Sequence, residues 1–377
     1  MTEIHGFCDE KFSAVRDAFA NNFAEKGEVG ASVALTVEGE YVVDLWGGHR
    51  DRAQSQPWEE DTIVNVYSTT KTMAALCALV LADRGEIDFN APVAKYWPEF
   101  AQNGKENVQV RHFMSHSAGL SGMDEPMVGE DIYDWDKMVD ALARQAPWWE
   151  PGSASGYHAL TQGHLIGEVV RRVTGKTLGQ FFQSDIAHPL GADFYIGTPE
   201  AHFARIGELI PPTAGLAEQT GGDADSISAR TFKNPAANAN LSGTSGWRKA
   251  EIPAANGHGN ARSVVRAQTA VANGGSAFGV ELLSAEGARR IFEEQTSGKD
   301  LVLGVPIRFG MGYGLTSPLM PMGPNEHIAY WGGWGGSTIV VDQDAHLCAS
   351  YVMNKMFTGL LGDTRGFALL QAAYASL

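Results

Sequence analysis

The chain has little cysteine, a deficit of positive charge and no long apolar run, and each shortage excludes a class of protein. Its 377 residues contain three cysteines, Cys8, Cys77 and Cys348. They form no CxxC pair and no disulfide framework, which fits a reducing, cytoplasmic setting. Lys and Arg number 28 against 44 Asp and Glu, leaving a formal charge of −16. A phosphate backbone or an anionic bilayer would repel that charge, so neither nucleic acid nor membrane is an expected partner. The longest apolar stretch, Met73 to Ala82, is about half of the ~20 residues a membrane helix needs. Met1 to Gly6 has neither a basic segment nor an apolar core, so no secretory signal is expected there.

Several catalytic signatures are missing as well. No Gly-x-Ser-x-Gly occurs, since Gly152 to Gly156 has Ala154 at its centre, and the usual α/β-hydrolase elbow is therefore excluded. His112 and His116 are four apart, but no Glu follows the first, so they do not make an HExxH zinc site. Gly310 to Gly314 lacks the GxGxxG spacing of a dinucleotide loop. The expectation is an enzyme without metal or cofactor.

What is present suits a packed protein, with 44% apolar and 19% charged residues. Two β-rich pairs stand near the ends of the chain. Ala31–Val37 and Tyr41–Trp46 flank the three-residue turn Glu38-Gly39-Glu40, and Ser337–Asp342 and Leu347–Met353 flank Gln343–His346. Helical patterns bracket them, Lys11 to Ala24 before and Gly359 to Ala375 after. Adjacent hairpins of this kind join into one antiparallel sheet with the terminal helices packed on it. Between them, from Thr72 to about Arg290, the spacing is mostly helical, with the clearest helices at Met73–Leu81 and Leu160–Val173. The Gly-, Ala-, Asn- and Ser-rich stretch Pro211–Gly259 reads as a long irregular surface loop. The expected architecture is α/β plus all-α. Residues 1–66 and 285–377 make a discontinuous domain around an antiparallel sheet, residues 67–284 a mostly helical domain, and the active site lies in the cleft between them.

Three segments carry chemistry. An extended run, Thr62–Tyr67, leads into Ser68-Thr69-Thr70-Lys71 at the head of the Met73–Leu81 helix. Three residues is nearly one helical turn, so Ser68 and Lys71 share a face, and a desolvated lysine can take a proton from a serine hydroxyl. Taken alone, Ser68 as an N-cap and Lys71 as a solvated first-turn residue explain the pattern equally well. Tyr157, on the loop Pro151–Ala159, offers a phenol whose pKa falls beside a cationic lysine; alone, a packed aromatic is the commoner reading. Tyr330–Ser337, with the sequence YWGGWGGS, puts glycines and two indoles at the start of a strand, suited to close backbone approach or to a plain β-bulge.

In this order the three segments resemble the β-lactamase and penicillin-recognising serine hydrolases, whose elements are Ser-x-x-Lys, Tyr-x-Asn and Lys-Thr-Gly. The resemblance is closest to the family VIII carboxylesterases, which are class C β-lactamase-like, and Arg111–Leu120 is similar to that family's LLxHTSGL segment. It implies that Ser68 is the nucleophile, Lys71 its activating partner and Tyr157 the general base. The backbone N–H groups of Ser68 and Trp334 would form the oxyanion hole. From the residues themselves, Trp331, Gly332, Gly333 and Trp334 are expected to touch substrate, and His258 is expected at the rim of the cleft as a further contact.

Two departures bear on the reaction. Ala159 stands where the family has Asn, and Trp331-Gly332-Gly333 replaces Lys-Thr-Gly, removing the cation that pairs with a penicillin or peptide carboxylate. Losing such a charge-assisted contact, about 1.5–3 kcal/mol, disfavours anionic lactams and peptides. The expected function is therefore hydrolysis of short-chain carboxylic esters, small molecules, through an acyl-enzyme, with some acyl transfer to alcohols or weak β-lactamase activity. A β-lactamase, D-amino-acid peptidase or amidase of the same fold is the first alternative. A non-catalytic ligand-binding protein in the same shell is the second.

Overall fold

A computed structural model describes residues 2–212, 223, 225–236 and 238–377. Among these, nine strands form one antiparallel sheet: β1 (Ile4–Cys8), β2 (Gly30–Val37), β3 (Glu40–Gly48), β4 (Thr296–Lys299), β5 (Pro306–Phe309), β6 (Gly314–Leu315), β7 (Ile328–Gly332), β8 (Thr338–Asp342) and β9 (Leu347–Met353). Their spatial order is β1-β3-β2-β9-β8-β7-β6-β5-β4. The two expected hairpins meet where β2 pairs with β9, Val33 lying opposite Tyr351. The turn after β2 is one residue shorter than its sequence suggested. Val37 pairs with Glu40, and Glu38 and Gly39 alone span the gap, with φ of 51° and 83°. Two successive positive φ values are the geometry of a tight hairpin turn whose twist matches the strands.

β2 is buried along nearly its whole length because helices cover both faces of the sheet. On one face lies α4 (Ala261–Ala272). The Ser32 hydroxyl accepts from the Ala261 N–H at 3.0 Å, and the Thr36 and Thr269 hydroxyls meet at 2.9 Å. On the other face α1 (Ser13–Glu25) packs with α5 (Thr364–Ala375). α5 begins at Thr364, five residues after the expected Gly359, because Asp363 caps it by accepting from the Arg365 N–H. Beyond α4 lie α2 (Thr70–Asp83) and α3 (Thr161–Thr174), which pack on each other. α2 is buried on every side as far as Leu81, as a helix apolar all round must be. α3 stops at Gly175, whose φ of 72° takes the left-handed cap that glycine accepts most readily.

Pro211–Gly259 is not a surface loop where it is described. Ile227–Lys233 and Ser245–Lys249 are helical, with Ser226 and Thr244 accepting from first-turn N–H groups. Trp247, Ala254, Ala255, Asn256 and His258 are buried. The Ser, Thr and Asn residues that suggested a loop act as caps and internal ties. Asn256, for one, donates to the Trp247 carbonyl at 2.7 Å and accepts from the Ile252 N–H at 2.9 Å. Residues 213–222, 224 and 237 of that stretch lie outside the described residues.

Candidate active site

From Thr62 to Leu81 every residue is buried except Ser68. The chain reaches it through a short strand, Val64–Asn65, paired with His258–Gly259, and a single 3₁₀ turn that runs into α2. Tyr67, immediately before the serine, has φ of 45°, a left-handed conformation that costs a bulky residue about 1–3 kcal/mol. Its ring is held by Trp334 at 5.2 Å and Trp247 at 6.2 Å between centroids. This strained turn leaves the Ser68 hydroxyl facing outward.

Two other side chains converge on that hydroxyl. Lys71 Nζ lies 3.2 Å from Ser68 Oγ, and Tyr157 Oη lies 2.6 Å from it. Lys71 also donates to the main-chain carbonyls of Ala159, at 2.7 Å, and Ala254, at 2.9 Å. The Ala159 contact shows what fills the place of the missing Asn: a main-chain oxygen. The Ala254 carbonyl can approach because Gly163 of α3 has no Cβ. A Cβ there would stand 2.4 Å from the Ala254 nitrogen.

Burial holds the Lys71 amine well below its ordinary value, and none of its hydrogen-bond partners is a carboxylate. An uncharged amine has two N–H groups and one lone pair. With the N–H groups committed to the two carbonyls, the lone pair is left for the Ser68 proton. Burial also raises the Tyr157 phenol, and the hydrogen bond with Ser68 opposes that only in part. The expected lowering beside the lysine is thus reversed, because burial of the phenol outweighs the hydrogen bonds that favour its ionised form.

The Tyr157 loop rests on residues that the sequence did not mark individually. The Tyr157 N–H donates to Asp300 Oδ1 at 3.0 Å, and the same oxygen accepts from Val302 and Leu303. The His116 ring accepts from the His158 N–H at 3.0 Å, and the His116 carbonyl accepts from Gly156 at 2.9 Å. His158 in turn shares a proton with the Gly156 carbonyl and accepts from the Leu120 N–H at 3.1 Å, which makes it a neutral, structural imidazole. The Arg111–Leu120 segment therefore cradles the tyrosine loop. Its only sequence signal was the family-like motif itself.

Opposite, the loop after β7 lies against Val66. The Ser337 hydroxyl bonds the Val66 carbonyl at 2.8 Å and meets the Thr69 hydroxyl at 2.9 Å. A Cβ on Gly333 would stand 2.1 Å from that same carbonyl, so the approach requires glycine. Neither the Ser68 N–H nor the Trp334 N–H donates to a protein acceptor among the described residues.

A family model described as Beta-lactamase matches residues 15–374. The chain belongs to the Beta-lactamase family. A solved structure of a family VIII carboxylesterase superposes with a TM-score of 0.93 at 45% identity, covering 100% of both chains. A penicillin-binding protein homolog from Caulobacter crescentus gives 0.90 at 40% identity, again over 100% of both. The esterase/beta-lactamase LipL of Mycobacterium tuberculosis (strain ATCC 25618 / H37Rv) is 36% identical, over 97% of this chain and 86% of its own length. Both the β-lactamase-like fold and the likeness to family VIII carboxylesterases expected from the motifs hold.

In this family member Ser68 opens onto a cavity of about 270 Å³. Tyr67, Ile132, Phe232, Leu241, Trp247 and Trp334 supply apolar wall, and no Lys, Arg, Asp or Glu lines it among the described residues. Of the expected substrate contacts, Trp334 alone is on the wall. Trp331 points into the protein, its ring 5.4 Å from Tyr157 and 5.4 Å from Phe309 and stacked near His116 at 5.9 Å. Gly332 and Gly333 form tight backbone contacts behind the wall, with Leu361–Gly362 and with Val66. His258 is not at the rim. It is fully buried in strand pairing with Asn65, its Nδ1 3.0 Å from the Thr198 hydroxyl, and burial pulls its pKa down to about 3. Thr231, Phe232, Pro235, Ala236, Asn238 and Leu241, in the stretch read as loop from its composition, contribute to the wall instead.

Proposed function

We propose that this chain is a serine carboxylesterase that hydrolyses short-chain, neutral esters through an acyl-enzyme on Ser68. The observation that carries the reading is the convergence of Lys71 and Tyr157 on one partly exposed hydroxyl at the mouth of an uncharged cavity. Lys71, as free amine, takes the Ser68 proton as Oγ bonds to the carbonyl carbon. The carbonyl electron pair moves onto oxygen, where the N–H groups of Ser68 and Trp334 receive it. Collapse breaks the bond to the alkoxide. That alkoxide takes a proton from Tyr157, which burial keeps protonated at neutral pH. Water then attacks the acyl carbon and gives its proton to Tyr157; the bond to Ser68 Oγ breaks, Lys71 returns its proton to that oxygen, and the acid leaves. The Ser68, Lys71 and Tyr157 groups come from residues 67–284 and Trp334 from the sheet-bearing residues 1–66 and 285–377; the cleft in this proposal lies between those two regions.

A second reading, turnover of β-lactams or D-amino-acid amides, draws support from the names of the penicillin-binding and esterase/beta-lactamase relatives. The buried Trp331 at the place of the family's lysine weighs against it. A panel of p-nitrophenyl esters, nitrocefin and D-amino-acid amides decides between them. The ester reading predicts the highest kcat/KM on acetate to butyrate esters; faster turnover of nitrocefin than of p-nitrophenyl butyrate would overturn it.

A further inference from the structure

Outside the candidate site, Arg365, near the start of α5, is fully buried and densely hydrogen-bonded. Its Nη1 donates to Glu28 Oε1 at 2.9 Å and to the Lys355 carbonyl at 3.0 Å. Its Nε faces both Asp363 oxygens at 3.2 Å. Its Nη2 donates to Asp363 Oδ2 at 2.7 Å and to the Gly335 carbonyl at 3.0 Å. A guanidinium has five N–H groups, and these contacts use all five. The plane is packed against Phe357, whose ring centre lies 3.8 Å from the guanidinium carbon.

The Gly335 contact matters because Gly335 follows Trp334 directly. The Trp334 N–H lies one peptide before that junction and the Gly335 carbonyl one peptide after it, and the glycine has no side chain of its own to hold the segment. Gly335 and Gly336 have φ of 102° and 130°, conformations open to glycine and to few other residues. Such a segment is held from outside. The Gly335 N–H donates to the Gly359 carbonyl at 2.9 Å, and its carbonyl accepts from Phe357 N–H at 2.9 Å as well as from Arg365. A Cβ on Gly336 would collide with Asp363 Oδ2 at 2.2 Å, so the arginine–carboxylate pair lies in contact with the loop.

We infer that Arg365 is a positioning residue that, by anchoring the Gly335 carbonyl, fixes the Trp334 N–H on the wall of the cavity that Ser68 lines. Glu28 shares the guanidinium with Asp363, and its other hydrogen bonds, from the Tyr351 hydroxyl and the Val29 N–H, lie outside the loop. The inference rests on the reading of Trp334 as an oxyanion donor. Loss of a single oxyanion donor costs about 10²–10³ in kcat, and a donor displaced rather than deleted costs less, so about tenfold is expected.

The test separates anchoring from stability with two proteins. Glu28→Gln keeps the Gly335 contact while weakening the buried pair. Glu28→Gln/Arg365→Met removes the guanidinium and one of its two carboxylate partners, leaves Asp363 only its capping bond to the start of α5, and removes the anchor. The expected result is lower melting temperatures in both. The kcat on p-nitrophenyl butyrate should stay within about twofold in the single variant and fall about tenfold in the double variant, with KM unchanged within about twofold. If the double variant does not fold, Arg365→Lys takes its place under the same criteria, since one ammonium cannot span Glu28, Asp363 and Gly335 together. An unchanged kcat in the folded double variant overturns the inference, as does an equal loss in Glu28→Gln. Full turnover in Ser68→Ala would instead overturn the site reading, so the two failures are distinguishable.

Discussion

A buried amine whose three partners are a hydroxyl and two carbonyls favours its uncharged form, so in the proposed mechanism Lys71 sets the pH at which Ser68 is activated. Activity should rise as pH climbs through the lowered Lys71 value, with the acidic limb well below 10.5. Lys71→Arg, which stays charged, should lose that limb and about 10²–10⁴ of kcat/KM; a pH–rate profile identical to wild type would contradict this. Stability carries the same sign. Between the lowered value and 10.5 the unfolded chain binds a proton that the folded chain does not, so stability rises with pH across that window. Ser68 and Lys71 were legible in the sequence because three residues on a helix place two side chains together. Tyr157, 89 positions from Ser68, emerged only through the order of the family's motifs. The two carbonyls that complete the lysine's environment were invisible, because any residue type has a carbonyl.

At the scale of elements, hairpins and long helices were readable from alternation, helical spacing and a glycine turn. The errors fell where small polar residues serve as caps. Ser226, Thr244 and Asn256 gave Pro211–Gly259 the composition of a loop, while their side chains tie helices and buried turns together. The short strands β4 to β6 were missed for a related reason: two to four residues are too few for alternation to show. The glycine-rich loop after β7 was marked as a place of close approach, and at Gly333 the approaching group is the Val66 carbonyl. Gly333→Ala should force that loop away, costing about 1–3 kcal/mol of stability and about tenfold or more in kcat. Urea unfolding and steady-state kinetics check both, and a variant with wild-type values would show that the close packing is dispensable.

Over the whole molecule the notable feature is how many imidazoles are kept uncharged inside it. Burial holds His158 and His258 at about 3, His112 and His164 at about 4, and His116 well below 6.5. These depressed values give a contribution that is complete above the unfolded value of about 6.5 and is lost as pH falls toward 3–4, where the unfolded chain binds protons that the folded chain refuses. Melting temperature should therefore drop steeply below pH 6.5, faster than carboxylate pairing alone would give. His258→Asn should flatten the fall, and a melting temperature level from pH 7 to pH 4 would contradict the account.

The central claim is that Ser68 carries the acyl group. It is tested most directly by mixing the protein with p-nitrophenyl butyrate, quenching in acid within the first turnovers, and mapping the modified peptide by mass spectrometry. The account predicts a butyryl ester on Ser68 that is absent from Ser68→Ala, together with loss of at least about 10⁴ in kcat in that variant. A butyryl group on another residue, or undiminished ester turnover by Ser68→Ala, would contradict it.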